Sequence, residues 1–146
     1  MQDTPGHPEI RTWAVVAVGL SAVASLAFPW HSLLGKSRST VELMGSASAL
    51  DVLSGFDKAA VIAAWLAVPL LTAVALLAAA ARRSVVVGLA MLPLGPLMVG
   101  AVALVSVRVP GDVVWGAWTA MAIGLAATTS ASWLVRSGLR RSAGRV

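Results

Sequence analysis

The sequence predicts an all-α, polytopic integral membrane protein with four transmembrane helices and a short amphipathic helix on the outer face. Three observations lead there. The 146 residues are 58% hydrophobic and only 12% charged, whereas a soluble domain carries about a quarter charged residues. The charges are also segregated. Uninterrupted runs of 19, 23, 24 and 23 residues without charge lie between Arg11 and His31, Lys58 and Arg82, Arg83 and Arg108, and Asp112 and Arg136. A helix needs about 20 apolar residues to cross the hydrocarbon core, so four runs give four spans. Finally, the runs are continuous rather than alternating, which excludes the transmembrane β-barrel. Helices are then the structure that satisfies the backbone in lipid.

Residues 1–146 read as a single membrane domain. A polar leader, 1–11, carries two prolines and reads as unstructured. The first span covers about 12–30 and is bracketed by Trp13 and Trp30, as expected for aromatic residues at headgroup level. A cleaved signal peptide is the competing reading, with small residues in "SLA" at 25–27. The leader sets Asp3 and Glu9 against one arginine, so it lacks a basic n-region, and the span is expected to be retained.

The outer loop, 31–58, is too short to bury a core of its own. Within it "STVE" at 39–42 matches a capping box, in which Ser39 caps a helix and Glu42 reaches back. Gly55 offers a C-cap. Val41, Leu43, Met44, Ala47, Leu50 and Leu53 fall on one broad face, which predicts an amphipathic helix lying on the membrane or across the helix ends.

The second and third spans, about 59–81 and 84–107, form a hairpin through "ARRS". Pro69 interrupts the second and Pro93 and Pro96 the third. Each proline removes a donor: Pro69 frees the Trp65 carbonyl, Pro93 that of Leu89, Pro96 that of Leu92. The stretch "MLPLGPLMVG" at 91–100 is not read as a loop, because a loop would leave two pieces too short to span. Broken helices mark substrate sites in transporters whose halves correspond. The halves here do not correspond, and the run offers no polar group near Pro93 or Pro96. The prolines therefore read as kinks that shape packing. Trp65, inside the second span, reads as a packing or lipid-facing residue.

"RVPGD" at 108–112 is a tight turn, and the fourth span, about 113–135, is opened by Trp115 and Trp118 and closed by Trp133. Gly116, Ala120, Gly124, Thr128 and Ser132 recur at intervals of four along it. Such a small-residue stripe lets two helices approach closely in lipid, and Thr128 and Ser132 are expected to add interhelical hydrogen bonds of about 0.6 kcal/mol each. The first span holds a weaker version in Ala17, Ser21 and Ser25. The expectation is that the first and fourth helices pack through these stripes, within the bundle or against a partner.

Lysine and arginine in short loops orient the chain. Arg11, Arg82, Arg83, Arg136, Arg140, Arg141 and Arg145 fall on one side, Lys36, Arg38, Lys58 and Arg108 on the other. The seven-to-four split places both termini and the basic tail, 136–146, in the cytoplasm. The tail's arginines serve as topology signal and as contacts for lipid headgroups. They carry no aromatic platform for nucleic acid. Nine arginines against two lysines, with abundant Ala and Val, is the bias of a GC-rich bacterial genome, which makes the membrane a bacterial plasma membrane.

Chemistry is scarce. There is no cysteine, hence no disulfide or thiolate site. All six carboxylates and both histidines lie outside the spans or at their ends, so no ionisable group sits at depth. His31 with Glu42 or Asp51 is too small a ligand set for a metal. No nucleophile motif or phosphate loop is present. The sequence thus predicts no enzyme, no cofactor and no metal. It predicts instead an accessory or scaffold subunit packing against a membrane complex or against itself. The alternative is a small transporter or channel subunit with Pro93 and Pro96 shaping a path.

The segment "FPWHSLLGKSRSTVELMG" at 28–45 carries a resemblance. An apolar span ending in Pro-Trp, a short basic Arg-Ser stretch and an amphipathic "VELM" segment resemble small four-helix membrane proteins of actinobacteria, mostly uncharacterised. The resemblance implies the layout and no site residues. Claudin-like proteins share a long first outer loop, but their cysteine pair and W-GLW motif are absent here.

Overall fold

The computed structural model describes residues 7–33, 36–39, 42, 55–108 and 111–143. The chain is mostly helical. In order it runs α1 (His7–Ser25), β1 (Pro29–Leu33), β2 (Lys36–Ser39), α2 (Gly55–Ala80), α3 (Ser84–Met91), α4 (Leu94–Arg108), β3 (Asp112–Val113) and α5 (Trp115–Ala143). The helices form a bundle of four rods, α3 and α4 making one broken rod. Both α5 and α2 pack on α1, α3 and α4. The core between them is built from Val16, Val68, Val87, Met91, Leu94 and Met98, with Ala120, Ala127 and Ala131 of α5.

Among the described residues two stretches are long and apolar enough to cross a membrane, Ala59–Ala80 and Ser84–Arg108. The sequence reading expected four. The other two helices differ in specific ways. α1 begins at His7, inside the expected leader, so its first turn is polar. It stops at Ser25 rather than near residue 30. The stop has a local cause. Pro29 cannot continue a helix and disfavours helical backbone at Phe28. The last turn tightens through Leu26 N–H to Val23 O, Ala27 N–H to Ala24 O and Phe28 N–H to Ser25 O. The Trp30 indole then donates to the Ser25 carbonyl at 2.9 Å. α5 is long, but it is rich in Gly, Ser, Thr and Trp and runs on through the expected tail to Ala143.

The residues after α1 form a three-stranded antiparallel sheet of order β2-β1-β3. Its register pairs His31 with Arg38 and with Val113. This sheet, not expected from the sequence, covers one end of the bundle. Gly111 takes φ +129°, and a Cβ there would collide with the Ser32 carbonyl, so the predicted turn depends on glycine at this position.

The capping box does form: Ser39 N–H donates to Glu42 Oε2 at 2.9 Å and Glu42 N–H to Ser39 Oγ at 3.3 Å. The amphipathic helix expected beyond it lies outside the described residues. Gly55 is not its C-cap but the first residue of α2. At the opposite end α2 closes with Arg82 N–H to Ala79 O and Arg83 N–H to Ala78 O. This is a Schellman ending with Arg82, at φ 57°, in the left-handed position that glycine usually fills.

Candidate functional site

The small-residue stripe of α5 meets the broken rod, and the contact is closest where that rod is interrupted. α3 ends at Met91 and α4 begins at Leu94, with Leu92 and Pro93 between them. Pro96 has no N–H to return to the Leu92 carbonyl. Thr128 of α5 takes its place. Its hydroxyl donates to the Leu92 carbonyl at 2.8 Å and accepts from the Gly95 N–H at 2.9 Å. One side chain thus satisfies both an acceptor and a donor freed by the break. The sequence reading found no polar group near Pro93 or Pro96. The group comes from another helix, 33 to 36 residues away.

Glycine makes this approach possible. A Cβ on Gly95 would lie 2.5 Å from Thr128 Oγ1 and 3.1 Å from the Gly124 carbonyl. One on Gly124 would lie 2.8 Å from Met98 Cβ. The fit continues along the helices: a Cβ on Gly88 would be 2.6 Å from Val135 Cγ2, and one on Gly138 2.5 Å from Val85 Cγ2. Of the remaining stripe residues, Gly116 sits against the Pro29 carbonyl at the sheet end, Ala120 is fully buried, and Ser132 donates to its own Thr128 carbonyl at 2.8 Å.

Two expectations change. The middle of the stripe faces α3 and α4 rather than α1. In α1, Ala17 and Ser21 point outward, and Ser21 bonds back to the Ala17 carbonyl. α1 makes its close contact through Gly19 instead, beside Met91 and Thr72, whose hydroxyl donates to Val68 O at 2.9 Å and lies 3.4 Å from Gly19 O. A spacing signal existed for the partner side: Gly88 and Gly95 stand seven apart, two turns of one face.

Pro69 lies inside α2 without ending it. Trp65, a turn earlier, lines a small apolar cavity with Leu26, Trp30, Val68 and Met98, and its Nε1 is buried without a partner. His31, read as part of an open loop, is fully buried, and neither imidazole nitrogen has a hydrogen-bond partner.

The end opposite the sheet gathers the arginines. Arg82 Nε lies 3.6 Å from Glu9 Oε1, both exposed. The Arg11 guanidinium stacks 4.8 Å above the Trp133 ring. Arg83 precedes α3 without making a side-chain cap. Arg136, Arg140 and Arg141 lie on the last turns of α5, and Arg145 lies outside the described residues. Among the described residues no three His, Cys, Asp or Glu side chains are grouped to hold a metal. Compared with protein families, characterised proteins and solved structures, the chain finds no match.

Proposed function

We propose that the chain is a non-catalytic, four-span protein of a bacterial plasma membrane, with both termini cytoplasmic, acting as an accessory or scaffold subunit. The observation that carries the membrane assignment is a girdle of exposed apolar side chains between two levels of tryptophan. Trp115 and Trp118 stand exposed beside the sheet. Trp13 and Trp133 stand exposed beside the arginines. Between these levels Leu20, Leu66, Leu70, Leu77, Leu89 and Leu125 face outward. Exposed large apolar side chains on several helices mark an interaction or membrane surface, and aromatic belts flanking an apolar band suit a bilayer. In this reading α1 and α5 cross beside the two more apolar rods. They tolerate their polar residues because hydroxyls such as those of Thr129 and Ser130 bond back to their own helix.

The accessory role is supported by how polar groups inside the bundle are used. Ser25, Thr72 and Thr128 direct their hydroxyls to backbone carbonyls. The transporter or channel alternative has Pro93 and Pro96 shaping a path and calls for a polar lining, whereas the Thr128 hydroxyl at the break is bonded to the Leu92 carbonyl and the Gly95 N–H. A partner, or a second copy, has a face available on α2, where Leu66, Leu70, Val74 and Leu77 lie exposed at helical spacing.

The test is a mild-detergent pull-down from the native host through a C-terminal tag. A stoichiometric membrane-protein partner supports the accessory reading. Recovery of a defined homo-oligomer alone moves the channel alternative to first place. Reporter fusions at each terminus read the orientation independently.

A further inference from the structure

We propose that the cleft among Arg11, Ser84, Trp133 and Ser137 binds the phosphate of an anionic phospholipid headgroup. The inference rests on the membrane reading and names a ligand site that reading leaves open. The cleft has a volume of about 140 Å³, between α1, the start of α3 and the end of α5. At about 30 Å³ per water molecule, it has room for a phosphate with part of its shell. Val85 and Leu134 complete its apolar wall, and Gly138 lets α5 sit close enough to α3 to form it.

The polar lining is that of an anion site. Arg11 supplies a guanidinium, whose fork of donors suits phosphate. Stacking on Trp133 at 4.8 Å fixes its orientation without neutralising its charge. Ser84 adds a hydroxyl from the start of α3, while Ser137, whose hydroxyl donates to the Leu134 carbonyl at 2.9 Å, only lines the wall. Glu9, the nearby carboxylate, is directed to Arg82. Arg82, Arg83, Arg136 and Arg140 stand on the same end, so the field around the cleft is positive.

Position selects the source of the phosphate. Trp133 and Trp13 mark the level at which headgroups lie, and the cleft opens at that level. Ser84 also lines a second cavity of about 430 Å³ with Glu9, Thr12, Trp13 and Arg82. That space accommodates the polar remainder of a headgroup, which inorganic phosphate would leave empty.

The experiment measures lipid retention by the purified full-length protein in detergent, by native mass spectrometry against phosphatidylglycerol and phosphatidylcholine. Wild type is expected to retain one phosphatidylglycerol in preference to phosphatidylcholine. Arg11→Gln is expected to weaken that retention at least tenfold. Arg140→Gln removes the same charge outside the cleft and is expected to change it less than twofold. Equal loss in both variants, or loss in neither, overturns the proposal in favour of a diffuse charge effect. Inorganic phosphate at millimolar concentration is expected not to displace the lipid; displacement overturns the lipid assignment. If Arg11→Gln fails to fold, Ser84→Ala carries the same test, with a severalfold loss expected and an unchanged affinity overturning the site. Membrane fractionation of the wild type in the same host reads the membrane assignment separately.

Discussion

The two stretches long and apolar enough to cross a bilayer are nearly equal in mean hydropathy, yet they are used differently. In Ala59–Ala80 of α2, 22% of the most apolar window is buried inside the protein. In Ser84–Arg108, the broken rod of α3 and α4, the figure is 44%. Each contains proline, and the continuous helix is the less packed one. In water, apolar content drives burial. In lipid, tails are as apolar as leucine, so close backbone approach and interhelical hydrogen bonds decide which helix goes inside. α2 has neither along its outer face. The broken rod has both: Gly88 and Gly95 admit α5, and Thr128 satisfies the break.

The largest effect is expected from closing that approach. Gly124→Leu places a branched side chain where even a Cβ would lie 2.8 Å from Met98 Cβ and 3.3 Å from the Leu94 carbonyl. Overpacking costs about 1–3 kcal/mol and sometimes more. Here backbone lies on one side, so about 3 kcal/mol is expected in a reversible unfolding titration in micelles. Gly100→Ala is the control, because nothing lies within 4 Å of a Cβ there. If both variants unfold alike, the stripe has no role in packing.

Thr128→Val tests the repair alone. It keeps shape and removes the hydroxyl, leaving the Leu92 carbonyl and Gly95 N–H unpaired. Two interhelical bonds of about 0.6 kcal/mol each, with the added penalty of unpaired groups, predict a loss of about 1–2 kcal/mol. Thr128→Ser should recover most of it. An unchanged Thr128→Val would mean that water or a backbone shift repairs the break. The two rods would then differ through glycine alone.

How much of this was legible in the sequence follows from the range of each interaction. The charge-free runs showed the helical rods, because composition alone marks them. The capping box at Ser39 and Glu42 was legible because both partners lie within four residues. Thr128 was legible both as a small residue of the stripe and as a hydroxyl able to hydrogen-bond another helix. Its partners at Leu92 and Gly95 are set by how the rods dock, which no local pattern encodes. The burial of His31 was hidden for the same reason, since its β3 partner, Val113, lies 82 residues downstream. The early end of α1 was readable in principle, from Pro29 and its effect on Phe28. The run's length and its flanking tryptophans outweighed that signal.

The joint between the two rods gives a smaller effect of opposite sign. Arg82 holds φ 57° to close α2, a conformation that costs an L-residue roughly 1–2 kcal/mol. Arg82→Gly removes that strain but adds freedom to the unfolded chain. The net gain is expected to be about 0.5–1 kcal/mol in the same titration. A loss instead would show that the contact with Glu9 outweighs the strain, although exposed ion pairs usually contribute little.

The smallest effect is expected on the outer face of α2, and it discriminates most sharply between the two rods. Leu70 and Leu77 are 65% and 71% exposed. Under the proposed membrane reading their neighbours are detergent or lipid tails before and after truncation, so Leu70→Ala/Leu77→Ala should shift unfolding by no more than about 0.5 kcal/mol. Recovery of a membrane partner from the host should fall in the same variant if this face is the docking surface, because helix contacts in lipid depend on side-chain fit. Stability and association are thereby separated on one face. A loss well above 0.5 kcal/mol in the purified monomer would mean that α2 is held by contacts along this face. The contrast between a loosely held α2 and a tightly held broken rod would then fail.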